Sequence, residues 1–159
     1  MTAQVFNVTH ITSALSSTAA QDLVALLASS LSKVRLRKFA VSMRSSDVED
    51  LQALGVELFR GSTSTPGSTS PLTPVNIEPH SGAPSAQSVV HRNSLTLMST
   101  ASAQRLWTGA MSDGFCYEPE YDLAPVIDTG QRLHARLTQP SAAGVFHIAM
   151  TFDEIGKAR

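Results

Sequence analysis

Ala143-Gly144-Val145-Phe146-His147-Ile148-Ala149-Met150-Thr151-Phe152 decides the fold class of this chain. Phe146, Ile148, Met150 and Phe152 alternate with smaller or more polar residues, the period of a strand with one face toward a core. The preceding Gln131-Arg132-Leu133-His134-Ala135-Arg136-Leu137-Thr138 alternates in the same way. Gln139-Pro140-Ser141-Ala142 between them is a turn signal, so the two are expected to form an antiparallel hairpin.

Working outward, Lys33–Met43 is a long strand whose apolar positions change phase, from Val34 and Leu36 to Phe39, Val41 and Met43. A slip of one residue predicts a β-bulge near Arg37 or Lys38. Val5–Ile11, Gly55–Arg60, Gln87–Arg92 and Arg105–Met111 are further strand candidates. Thr18–Ser30 reads differently, because Thr18 with Gln21 resembles a capping box and the Ala and Leu content favours helix. Asp47–Leu54 is expected to be a helical turn or a loop. The predicted architecture is all-β, a single antiparallel sandwich domain over residues 1–159.

With 159 residues, the chain can bury a core without metal or disulfide staples. Its 42% apolar content is ordinary, while the 16% charged content is low, with Ser and Thr in place of charge. A net charge of −1 gives no global pull toward nucleic acid or anionic membrane. Cys116 stands alone, which excludes an intrachain disulfide framework. The start carries no basic region with a long apolar core, and no stretch approaches a membrane span, so synthesis and folding in the cytoplasm are expected.

Between Gly61 and Ala86, 18 of 26 residues are Gly, Ser, Thr or Pro, and only Glu78 is formally charged. This composition predicts a long loop or arm at 61–86, with Pro66, Pro71, Leu72 and Pro74 stiffening its extended part. Two readings follow: a surface loop, or an arm that orders against a neighbouring subunit.

No pattern carries a specific chemistry. The five histidines lack HxH or HExxH spacing, although His134 and His147 would face each other across the predicted hairpin. Cys116, between Phe115 and Tyr117, reads as a packed thiol. No Gly-x-Ser-x-Gly elbow accompanies the many serines. Asp113, Glu118, Glu120, Asp122 and Asp128 form an acidic run with no Lys or Arg from Leu106 to Gly130, but no EF-hand spacing exists. No enzyme, cofactor or metal site is expected. Lys33, Arg35, Arg37 and Lys38 form an opposite, basic stripe, read as an edge strand guarded by charge. The two stripes also suggest that the basic edge of one copy meets Glu118, Glu120 and Asp122 of another.

In order and texture the chain resembles tailed-bacteriophage virion proteins, including capsid decoration or head-auxiliary proteins of jelly-roll type. The residues that carry the likeness are Ala20-Gln21-Asp22-Leu23-Val24, Leu58-Phe59-Arg60-Gly61 with the arm after it, and Gly114-Phe115-Cys116-Tyr117-Glu118-Pro119-Glu120. Gly130–Leu137, Pro140 and Gly144–Gly156 complete it. The resemblance implies a strand, not a helix, at Asp22–Ala28, and a double-sheet fold. It also implies a cement protein on a virion surface, bridging major capsid subunits as a trimer or other small homo-oligomer. A tail or head–tail joining protein is the structural alternative. A carbohydrate-binding module using Trp107, Tyr117 and Tyr121 is the alternative of another class.

Overall fold

The computed structural model describes residues 4–12, 20–46, 54–62, 70–77, 85–94, 97–111, 114–138 and 144–156. These form twelve strands and one 3-10 turn. The longer strands are β1 (Gln4–Ile11), β2 (Gln21–Leu27), β3 (Ser32–Ser46), β4 (Leu54–Ser62), β7 (Val89–Ser94), β8 (Gln104–Met111), β11 (Arg132–Leu137) and β12 (Gly144–Gly156). Short strands are β5 (Ser70–Leu72), β6 (Val75–Asn76), β9 (Phe115–Tyr117) and β10 (Val126–Ile127), with the 3-10 turn at Tyr121–Leu123.

Two antiparallel sheets face each other. The first has the order β10-β3-β12-β1-β6 with β9 also on β3, and the second β5-β7-β2-β11-β4-β8. Four pairings are nested: β1 with β12, β2 with β11, β3 with β9 and β10, and β4 with β8. A chain paired outside-in like this is one long hairpin rolled into two sheets, the double Greek key of a jelly roll. The expected all-β sandwich is therefore the observed architecture.

The nesting overturns the predicted β11–β12 hairpin. β11 lies between β2 and β4 in the second sheet, whereas β12 lies between β3 and β1 in the first. Alternation announces that each strand has a core face, but two such strands can meet face to face as well as edge to edge. Here Leu133, Ala135 and Leu137 point at Phe146, Ile148, Met150 and Phe152 from the opposite sheet, all at most 2% exposed.

The helix expected over Thr18–Ser30 is also corrected, since Gln21–Leu27 is a strand, as the family resemblance implied. Asp22 through Leu26 are all buried, because β2 is covered on both faces. A strand buried on both sides needs no alternation, and an Ala/Leu run then mimics a helix. Thr18 lies outside the described residues, as does 47–53 of the Asp47–Leu54 stretch, whose last residue begins β4.

The predicted bulge is present. Thr151 pairs with Lys38 and Phe152 with Leu36, so Arg37 is the extra residue and the inward phase passes from Leu36 to Phe39. Phe6 and Phe152 stack across β1 and β12 with ring centroids 5.8 Å apart, anchoring the first sheet's share of the core.

The arm is an insertion between β4 and β8, and its described part is a strap. β5 pairs with β7 at the edge of the second sheet, Thr73 and Pro74 cross over, and β6 pairs with β1 at the edge of the first. The return of the arm is held by Glu154, whose buried carboxylate accepts the backbone N–H groups of Gln87 at 3.1 Å and Ser88 at 2.6 Å. Glu154→Ala leaves these donors without their acceptor and is expected to cost about 1–3 kcal/mol. The shift in urea midpoint at constant m checks this, and Glu154→Gln, which retains one acceptor oxygen, should lose less.

Candidate interaction surface

The basic stripe does not guard an open edge. The flank of β3 away from β12 is occupied by β10 at Val34 and Arg35 and by β9 at Phe39–Val41. The segment that supplies these strands also supplies the acidic run, so the two stripes meet within one chain. Lys33 Nζ lies 2.6 Å from Asp128 Oδ1, and Lys38 Nζ donates to Glu118 Oε2 at 2.9 Å, a hydrogen bond that raises the Lys38 pKa. Between these pairs, the guanidinium carbons of Arg35 and Arg37 lie 4.4 and 5.0 Å from the centroid of the Tyr121 ring. Arg37 Nε also lies 2.6 Å from Asp153 Oδ1, close enough for an ion pair but poorly aligned for a hydrogen bond.

This arrangement is a latch, closing residues 114–128 over β3. Surface ion pairs contribute little individually, so the cation–π contacts of Tyr121 are its more specific part. Tyr121→Ala is expected to speed amide exchange across residues 121–127 while the rest of the protein keeps its protection. Glu120 and Asp122 are exposed on the 3-10 turn, beside Leu123 at 74% exposure.

Of the arm residues singled out from the sequence, Pro66 lies outside the described residues. Pro71, Leu72 and Pro74 lie on the strap, which alternates strictly. Leu72, Pro74 and Asn76 are half-buried, and Pro71, Thr73, Val75 and Ile77 are exposed. Val75 is 66% and Ile77 50% exposed, and from Gly61 to Ile77 there is no charged residue. An uncharged outer row thus runs across the side of the sandwich.

Cys116 is exposed, correcting the expected packed thiol. In β9, Phe115 and Tyr117 turn toward the core and Cys116 turns away. It borders an open groove of about 280 Å³ on the outer face of the first sheet, with Ala40, Ser42, Gly114, His147 and Ala149. His147 is exposed there, whereas His134 is fully buried in the other sheet, so the two do not face each other. No group of three or more His, Cys, Asp or Glu side chains is placed to hold a metal among the described residues. The aromatic trio is dispersed. Trp107 stacks on Phe115 at 3.8 Å, Tyr117 packs on the core, and Tyr121 is clasped by arginines.

Sequence reasoning missed a second buried layer on the outer face of the second sheet. Asp22 accepts from Arg136 Nε at 2.7 Å and Nη2 at 3.2 Å and from the Met98 N–H at 2.6 Å, while Arg136 also donates to the Met98 carbonyl at 2.7 Å. Ser62 Oγ donates to the Ser99 carbonyl at 3.0 Å. These bonds fasten the chain at Met98–Ser99 onto the sheet. His134 in this layer stacks on Phe59, with centroids 5.0 Å apart, and neither ring nitrogen has a hydrogen-bond partner among the described residues. The available signal was Asp22, the lone charge of β2, standing at its start directly before the apolar run Leu23–Leu27.

The fold and surface define an antiparallel β-sandwich of jelly-roll topology with an inserted strap. No protein-family model matches the chain, and no curated protein is detectably similar to it.

Proposed function

We propose that this chain is a non-enzymatic virion structural protein that decorates a bacteriophage capsid, bridging neighbouring major capsid subunits as a small homo-oligomer, a trimer being favoured. The observation that supports this reading is the strap, with its uncharged outer row of Pro71, Thr73, Val75 and Ile77. Exposed β-branched and proline side chains fixed on a rigid body present contact area at little ordering cost. A shell repeats its sites, so an oligomer with several straps gains by multivalency even where each contact is weak. The earlier idea that basic and acidic stripes join two copies loses its support, because Lys33, Lys38, Glu118 and Asp128 are already paired within the chain.

Co-sedimentation with expanded, undecorated capsids tests the reading. Saturable binding at a symmetry-related copy number is expected, and Val75→Asp with Ile77→Asp should abolish it while leaving the circular dichroism spectrum unchanged. Absence of saturable binding by the unmodified protein, or full binding by the doubly substituted one, overturns it.

A further inference from the structure

The strap joins one pair of sheet edges, β5 and β6, while the opposite pair, β8 and β10, borders a polar pocket of about 280 Å³. Two turns build its walls. In the first, the Gln131 N–H donates to the Asp128 carbonyl at 3.0 Å across Thr129 and Gly130, which brings both side chains to the pocket. Gly130 has φ +74°, the left-handed region that favours glycine, and its own N–H is held by the Ala28 carbonyl at 3.2 Å. The second turn, Thr100–Ala103, is closed by the Ala103 N–H on the Thr100 carbonyl at 3.1 Å and carries Ser102. The walls converge over Gly61 of β4, where a Cβ would stand 3.7 Å from the Ser102 carbonyl oxygen and 3.9 Å from Gln131 Oε1.

Arg60, also from β4, is pinned on two sides. Its Nε donates to Gln104 Oε1 at 2.8 Å and its Nη1 to the Val126 carbonyl at 3.4 Å, and no carboxylate lies within ion-pair distance of it among the described residues. These bonds leave Arg60 Nη2 and the Gln104 amide N–H groups as donors. Asp128 gives Oδ1 to Lys33 at 2.6 Å, which leaves Oδ2 as an acceptor. The side chains of Ser102 and Gln131 make no hydrogen bond among the described residues and supply a hydroxyl and an amide. Free donors and free acceptors therefore face one small volume.

The charges on its walls select against most ligand classes. An anion meets the Asp128 carboxylate, a cation meets the Arg60 guanidinium, and an apolar ligand strips water from polar groups without replacing it. A neutral ring bearing adjacent hydroxyls satisfies them all, because each hydroxyl both donates and accepts. We infer that this pocket binds a neutral saccharide, with Arg60 and Gln104 donating to its hydroxyl oxygens and Asp128 and Gln131 accepting from its hydroxyls. Its volume lies just below the ~300–1,000 Å³ of pockets for drug-sized ligands, which suits one sugar ring. Walls fixed by backbone bonds and a guanidinium already pinned have little left to order on binding. The site uses polar side chains and not the dispersed aromatic trio. It also lies across the sandwich from Val75 and Ile77, so attachment through the strap leaves it open, and it is tested with no shell present.

Amide spectra of the isotope-labelled protein, recorded during titration with the methyl glycosides of glucose, galactose, mannose and N-acetylglucosamine, test this. At least one of these sugars is expected to shift the amides of Gly61, Ser102 and Gln131 saturably. Ser102→Ala and Gln131→Ala remove side chains that hold no hydrogen bond among the described residues, so both variants should fold. Each is expected to weaken the bound sugar about fivefold, the worth of one hydrogen bond. Inorganic phosphate and glycine, an anion and a zwitterion, should leave the same amides unmoved. The inference is overturned if none of the sugars gives a saturable shift there, or if the doubly substituted protein binds as tightly as the unmodified one. Tighter binding of phosphate or glycine than of every sugar at these amides overturns it equally.

Discussion

Asp22→Ala should lower the stability of this protein by about 3–5 kcal/mol, the usual consequence of removing one partner of a buried ion pair. The Asp22 side chain is fully buried and that of Arg136 is only 12% exposed. Truncation leaves the guanidinium without its carboxylate and the Met98 N–H without its acceptor. Arg136→Ala should cost a similar amount, because it strands the buried carboxylate. The pair also fastens Met98–Ser99, so amide exchange there should accelerate before the core opens. Chemical denaturation at neutral pH measures the loss, and a double-mutant cycle separates coupling from desolvation. Replacing both residues by leucine should cost less than either single truncation, since no unpaired charge then remains. A shift below about 1 kcal/mol for Asp22→Ala, within the range of an exposed pair, would show that the clamp contributes no more than a surface contact.

Acidification acts on the same layer through His134. Burial pushes its pKa down to about 4, with the Asp22 charge opposing the shift and the Arg136 charge adding to it. Above the unfolded value of 6.5, the imidazole is neutral in both states and the effect is absent. As pH falls below that value, the unfolded chain takes up a proton that the folded protein refuses, so stability declines until the folded histidine itself protonates near 4. The interval corresponds to about 3 kcal/mol. His10 and His91 are also lowered, each by burial first and then by Arg92 and Arg132 respectively, and they act in the same direction. Urea midpoints measured from pH 7 to pH 4 should fall for the unmodified protein and fall less for His134→Phe, which keeps the stack on Phe59. Parallel pH profiles for the two proteins would exclude His134 as the source.

Residue pattern alone indicated a chain built mainly of strands, a bulge in β3 near Arg37 or Lys38, and a stretch of unlike composition over residues 61–86. These features are local: alternation, a change of phase, and a run of Gly, Ser, Thr and Pro each act through a few neighbouring residues. Where strands lie relative to one another was decided by the tertiary structure. β11 and β12 adjoin in sequence yet sit in opposite sheets, because the rolled hairpin gives each a partner more than a hundred residues away, Gln21–Leu27 and Gln4–Ile11. Burial on both faces, not propensity, made Gln21–Leu27 a strand. The charged stripes were visible from the beginning, but only the return of residues 114–128 over β3 decided that they meet within one chain. Long-range pairing decides which faces are covered, and covering turned the stripes into a latch and left the uncharged strap as the surface that faces outward.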